Sequence, residues 1–348
     1  VRFGDAVTAV YAPTNGRPGV TREIEVFKGS DGEVMPFTKR FTDPEMAVKT
    51  QLSIAEAYFE MAKKHRKLKQ KDITRQEIAA GKKILEEALR DYPDSEARAQ
   101  GDYLVANLSL ELGEEIDGEE EKEERERYYN EALMRFTSLI SLHRDSSYAP
   151  KAQFKKALTL ERMGDFDAAC EEYVKLSYRW PENELIAETI ARLGQYFFRK
   201  GKQMQNVDDT DPVKVEMARL RSQKMFTSAA EVFGRLAERF PSHKLAEKTT
   251  VLSGQCYMRA ENYPKAVTVL AKVIDKKDAD KDVRAEAMYW CGDCYTKGKR
   301  FGNSKRPPMV EAYRMFKRVT WDYPASKWAK YARGRLTEKN VAGAGGDE

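Results

Sequence analysis

Met163-Gly164-Asp165-Phe166-Asp167-Ala168-Ala169 is followed, twelve residues after Ala169, by the proline of Trp180-Pro181. Gly164-Asp165 reads as a tight turn and Asp165 to Ala169 as the start of a helix. Proline cannot donate within a helix and disfavours helix at the residue before it, so Pro181 stops that helix. Used as a ruler, the same grammar runs outward in both directions. Tyr92-Pro93, Phe240-Pro241 and Tyr323-Pro324 are equivalent stops, with Gly81, Ala229 and Ala312 each twelve residues before the proline. Thirteen residues after the first three prolines stand Ala106, Gly194 and Gly254, and His143-Arg144 keeps both distances, to Ala132 and Ala157, without a proline.

A small residue on each of two helices lets their backbones approach at a crossing, and large residues at helical spacing fill the groove around it. Leu158, Phe166, Tyr173 and Leu176 have that spacing in one hairpin, and Phe197, Phe233 and Leu236 in the next. The spacing predicts six helical hairpins. Their first helices lie near 45–63, 95–113, 147–163, 183–200, 242–260 and 281–297, and their second helices near 74–91, 120–143, 166–179, 211–239, 262–275 and 308–322. Ser95, Asn183 and Ser242 stand as N-caps. A last helix at about 325–337, with Trp328, Tyr331 and Leu336, covers the end of the array, as a terminal repeat must.

This pattern resembles the tetratricopeptide repeat, whose period is about 34 residues. Gly164-Asp165-Phe166, Ala169, Tyr173 and Pro181 carry the likeness within 147–181, and Gly254, Tyr257, Tyr263 and Ala266 within 242–278. The resemblance implies an all-α solenoid whose groove, lined by first helices, takes an extended peptide or a partner helix. Tyr323-Pro324-Ala325-Ser326-Lys327-Trp328-Ala329 is similar, more loosely, to repeats of bacterial envelope proteins of the outer-membrane assembly lipoprotein and Tol-associated coordinator types. That likeness implies a periplasmic or cell-envelope setting, with a cytoplasmic adaptor as the alternative. Four hairpins exceed the family period, by inserts at 64–73, 114–124, 201–222 and 298–307, all at the turn between paired helices.

Residues 1–42 lie outside the repeat. Val20 to Phe27 alternates like a half-buried strand, Gly29-Ser30-Asp31-Gly32 has turn chemistry, and Val34 to Phe41 is a candidate return strand. The expected organisation is a β-containing segment at 1–42, a solenoid at 43–338 and a flexible Gly-rich tail at 339–348. The chain begins at Val1 without an initiator methionine, as a fragment or processed product does. Charged residues make up 34% against 41% apolar, which suits a helix-rich chain with a large solvated surface. A net charge of +5 is small for such a surface, and it implies no whole-molecule affinity for nucleic acid.

Trp290-Cys291-Gly292-Asp293-Cys294 is the nearest approach to an active-site motif, and it resembles the thioredoxin sequence. That chemistry needs a helix starting at the first cysteine, which lowers the thiol pKa. Here the repeat puts Gly292 at the crossing position of Gly254 and Gly194, so both cysteines fall inside a helix and read as packing side chains. Cys170 and the histidines His65, His143 and His243 have no zinc spacing, and no phosphate-binding loop or nucleophile elbow occurs. No catalytic residue, metal site or cofactor is therefore assigned.

Two charge runs occupy adjacent inserts. Lys63, Lys64, Arg66, Lys67, Lys69 and Lys71 form a basic edge without an acid, and Glu111 to Glu126 is strongly acidic. They are expected to attract one another. Binding of a polyanion by the basic run is an alternative, but the run lacks the interleaved aromatics that nucleic-acid contacts use. The groove candidates are Gln153, Lys156, Arg192, Gln195, Gln255 and Arg259, polar residues on first helices that the core pattern leaves over. The resulting expectation is a non-catalytic scaffold or adaptor for other proteins. A thiol-disulfide protein using Cys291 and Cys294 is the rival of a different class.

Overall fold

The computed structural model describes residues 7–9, 24–26, 44–205, 210–297 and 306–347. The chain divides into two compact units, Val1–Gly164 and Asp165–Glu348, where the sequence suggested one solenoid. The first unit holds β1 (Val7–Ala9), β2 (Ile24–Val26), α1 (Pro44–Lys67), α2 (Lys71–Asp91), α3 (Arg98–Glu114), α4 (Lys122–Leu142) and α5 (Tyr148–Arg162). The second holds α6 (Phe166–Arg179), α7 (Ile186–Gln205), α8 (Pro212–Arg239), α9 (Ala246–Arg259), α10 (Tyr263–Ile274), α11 (Lys281–Tyr295), α12 (Pro308–Asp322), α13 (Lys327–Leu336) and α14 (Lys339–Ala342). In each unit every helix packs on the next in chain order, which is the α-solenoid arrangement.

The helix pairs cross where the small residues predict. Each second helix carries a large side chain four residues after its small one: Leu85, Phe136, Tyr173, Phe233, Leu270 and Phe316, none more than 2% exposed. In the second unit these close directly on the crossing glycine of the paired first helix. A Cβ on Gly194 would meet Phe233 at 2.5 Å, one on Gly254 would meet Leu270 at 2.6 Å, and one on Gly292 would meet Phe316 at 2.9 Å. Contacts this short leave no room for a methyl group, so the glycine is a packing requirement.

The link from a second helix to the following first helix is a double turn that recurs five times. Ser95, Ser146, Asn183, His243 and Ser326 each donate a backbone N–H to the carbonyl three residues back, and each carbonyl accepts from the residue three ahead. Each side chain then accepts the N–H two residues on, from Ala97, Tyr148, Leu185, Leu245 and Trp328. Most of these helices start two or three residues later than expected, so Ser95 and Asn183 cap a turn ahead of the helix. In the fourth copy the acceptor is His243 Nδ1, not Ser242, which corrects the cap assignment. The registers agree once the turn, rather than the helix start, is matched.

The inserts at 64–73 and 201–222 are taken up largely as helix, while 114–124 is mostly turn between α3 and α4. α1 runs to Lys67 with α2 starting at Lys71, and α7 and α8 reach 20 and 28 residues, so the extra sequence at 64–73 and 201–222 lengthens the hairpins. Most of the 298–307 insert lies outside the described residues. β2 falls inside the expected strand, but it pairs antiparallel with the upstream β1, Val7 opposite Val26 and Ala9 opposite Ile24. The return strand expected at 34–41 lies outside the described residues. The expected tail is folded: α14 and a 3-10 turn at Gly343–Asp347 pack on α12, burying Val341 and Ala344. Small side chains permit this, since Gly345 lies against the Tyr313 ring where a Cβ would meet it at 2.7 Å.

Candidate functional site on the first helices

Counting from the crossing residue puts the first helices in register. Positions six and two residues before it, and one and five after it, fall on one helix face. On α7 these are Glu188, Arg192, Gln195 and Arg199, on α9 Lys248, Leu252, Gln255 and Arg259, and on α11 Glu286, Trp290 and Asp293, with Lys297 in the turn just past it. Neighbouring first helices of the second unit touch along this stripe. Glu286 accepts hydrogen bonds from Lys248 and, at 2.9 Å, from Gln255 Nε2. Arg335 of α13 donates to Asp293 at 2.7 Å and to Glu338 at 2.6 Å. Gln195 and Arg259 are exposed, and the Arg259 guanidinium lies 5.4 Å from the Phe198 ring centroid and 5.8 Å from that of Phe226.

Four of the six candidates, Arg192, Gln195, Gln255 and Arg259, therefore occupy one face. The two on α5 in the first unit do not. Gln153 lies four residues before Ala157, on the core side, and is only 1% exposed, so it offers no surface to a partner. Half-buried Lys156 lies one residue before Ala157, beside the stripe. The register places Lys151, Lys155, Leu158 and Arg162 there instead. Lys248 and Glu286 were missed in the second unit, although the same count from Gly254 and Gly292 finds both.

An aromatic cluster at the end of this face was also missed. Tyr289 and Trp290 of α11 meet Trp328 of α13 at 5.2 and 5.8 Å between centroids, and Tyr331 lies 5.6 Å from Trp328. Trp328 is buried, while Tyr331 is 54% exposed. Burial raises the phenol pKa of Tyr289, and nearby Asp293 adds to it. Second-unit clefts also open on the other side of the first helices. One of about 500 Å³, with Gly234, Ser253, Tyr257 and Val269 in its wall, has its rim charges closed on themselves through Lys272–Glu238 at 3.8 Å and Lys276–Glu247 at 2.7 Å.

The basic edge faces its own chain. In the first unit Arg66 donates to Glu111 at 2.8 Å and also to Glu115, Lys71 pairs with Asp117, and Lys63 bonds Glu60 at 2.7 Å beneath which lies the Phe59 ring. Arg75, beyond the run, bonds Glu121 at 2.9 Å. Lys64, Lys67 and Lys69 stay exposed. The two charge runs thus attract one another, as expected from their adjacent inserts.

Cys291 and Cys294 lie inside α11 and are buried. Burial pushes the Cys291 thiol up to about 12 and raises Cys294 further, helped by the neighbouring Cys291 and Asp293. A nucleophilic thiol needs the opposite shift. Among the described residues no group of three or more His, Cys, Asp or Glu side chains is placed to hold a metal ion. No described helix is long and apolar enough to cross a membrane.

Residues 151–183 match the tetratricopeptide repeat model. This chain carries a tetratricopeptide repeat. The double turn and the small-residue crossing extend the same architecture beyond the matched repeat. No curated protein matches the sequence. Among solved structures, a tetratricopeptide repeat protein from Parabacteroides merdae is 14% identical, covering 80% of this chain and 97% of its own, with a TM-score of 0.31. A thermophilic tetratricopeptide protein of Thermus thermophilus is 16% identical over 69% and 98%, with a TM-score of 0.32. The TPR2AB domain of yeast Sti1, solved with pHSP90, is 14% identical over 84% and 99%, with a TM-score of 0.31.

Proposed function

We propose that this tetratricopeptide-repeat chain is a non-catalytic interaction scaffold, and that the first-helix face of its second unit takes an extended segment of a partner protein. One observation carries the reading. Exposed Gln195 and Arg259 and solvent-accessible Tyr331 share a face that neighbouring helices order through Lys248–Glu286, Gln255–Glu286 and Arg335–Asp293 bonds. Arginine and tyrosine anchors on a pre-ordered face bind with little loss of side-chain entropy. The mechanism is reversible binding without bond chemistry.

The rival readings draw less support. Raised thiol pKa values disfavour a disulfide-exchange role for Cys291 and Cys294. The internal ion pairs of Arg66 and Lys71 leave the basic edge less charge for a polyanion. A cell-envelope setting rests on the aromatic-Pro-x-Ser likeness alone.

The test places a photo-crosslinking amino acid at Gln195, at Gln255 or at exposed Thr268 of α10, and expresses each variant in the native cells. Partner adducts from the first two positions and none from Thr268 are expected. Equal adducts from all three, or adducts from Thr268 alone, remove the first-helix face from the account.

A further inference from the structure

The stripe position five residues after the crossing is a cation on every complete first helix of the second unit: Arg199 on α7, Arg259 on α9 and Lys297 just past α11. In the first unit the same count gives Glu111 on α3 and Arg162 on α5, and Arg162 is bonded to Glu114 at 2.6 Å. The three second-unit cations differ. Among the described residues none of them bonds a carboxylate. The acids nearby are already engaged: Asp167 by Tyr196 and Lys200, Glu261 by Arg219, and Asp293 by Arg335. Two of the three are held from beneath by aromatic rings, Arg199 at 3.6 Å from the Phe166 centroid and Arg259 over Phe198 and Phe226. Cation–π contact orients a guanidinium while its N–H edge remains able to bond an anion.

We infer that this row recognises an extended acidic segment of a partner protein, with carboxylates at every third residue, one for each of Arg199, Arg259 and Lys297. α9 packs on α11, and Arg259 of α9 lies over Phe198 of α7; helices in such contact are about 10 Å apart. A peptide in the polyproline II conformation advances about 3.1 Å per residue with three residues per turn, so every third side chain stays on one face and reaches the next helix. Arginine takes a carboxylate through two parallel N–H···O bonds, and its ring support means that less side-chain freedom is lost on binding. The carboxylates are internal side chains rather than a chain end, because a single terminus supplies one site and the row has three. This inference rests on the proposed first-helix site and adds the chemistry of its ligand.

The experiment measures binding of a fluorescent, N-acetylated, C-amidated ten-residue peptide of repeating Glu-Ser-Gly ending in Glu to the full-length chain. Its comparisons are a peptide of the same composition with all glutamates adjacent, and a twelve-nucleotide thymidine strand. The spaced peptide is expected to bind at least fivefold more tightly than the clustered one, with affinity falling as salt rises. Arg259→Glu and Arg199→Glu are each expected to weaken it about tenfold, and Lys64→Glu to leave it unchanged. Arg259→Gln, which keeps a polar side chain at an exposed position, is expected to lose affinity in the same direction with an unchanged helical spectrum. Absence of binding at millimolar peptide, equal binding of spaced and clustered peptides, or tighter binding of the thymidine strand that needs the same arginines would overturn the inference. Photo-adducts from Gln195 and Gln255 that persist beside a failed peptide would keep the face and reject its acidic ligand. Loss of both would remove the site itself.

Discussion

At the scale of single residues the fold rests on a repeated exchange: a small side chain on one helix for a large one on its partner. Phe316→Ala, beneath Gly292, removes a ring with no exposed surface and is expected to cost about 3–5 kcal/mol in urea denaturation. His243 takes the place that serine or asparagine holds in the other double turns. His243→Asn is therefore expected to keep stability within about 0.5 kcal/mol, while His243→Ala loses about 1 kcal/mol with the cap. The buried thiols give a pH signature. The folded chain keeps Cys256 and Cys291 neutral up to about 12, against an ordinary value of 9.0, through burial. Their contribution is complete below pH 9 and is lost as the pH rises from 9 towards 12. At pH 10 each is expected to cost about 1 kcal/mol relative to pH 8, and the Cys256→Ala and Cys291→Ala variants are expected to show a shallower decline. Gly292 and the cysteines were legible from spacing alone, because close packing admits few residue types at a crossing. His243 was not, since imidazole Nδ1 imitates a cap only in a geometry the sequence does not display.

At the scale of elements, the order of α1 to α13 and the second-helix stops were legible, because proline and the aromatic before it fix where most second helices end, while α14 in the expected tail was not. The starts of first helices were displaced by the double turn, whose first half looks like a cap in sequence. The insert at 64–73 was placed at a turn and proves to be mostly helix, since nothing in Lys63 to Lys71 breaks a helix before Lys69, which takes a positive φ of 60°. Its charges join α1 and α2 to the start of the acidic segment. Arg66→Ala leaves the Glu111 and Glu115 carboxylates, with side chains 12% and 9% exposed, without their cation. It is expected to destabilise the first unit by about 3 kcal/mol. Lys64→Ala and Lys67→Ala, on exposed positions of the same run, are expected to change stability by less than about 0.5 kcal/mol. A denaturant series on the three variants separates a structural edge from a solvated one.

At the scale of the whole molecule, the sequence displays a period and leaves the division at Gly164 unseen, because the turn there looks like every other turn between paired helices. The proposed face was half legible. Arg192, Gln195, Gln255 and Arg259 were reached by asking which polar residues the core leaves over, and the same question misplaced Gln153 and Lys156 by a fraction of a turn on α5. A fixed count from the crossing residue would have placed all of the stripe. The aromatic cluster needed three dimensions, because Trp290 and Trp328 belong to helices separated by the whole of α12. What the partner is lies in the chemistry of the face rather than in the fold, since one repeat architecture serves many ligands. The central claim is that this face, and no other, is covered when the chain works. Covalent footprinting of lysines and arginines on the full-length chain, alone and with its co-purified partner, tests it residue by residue. The account predicts protection of Lys248, Arg259 and Lys297, with Lys64, Lys67, Lys265 and Lys272 unchanged. Protection confined to Lys265 and Lys272, or to the basic edge, with the first-helix face still reactive, would contradict it.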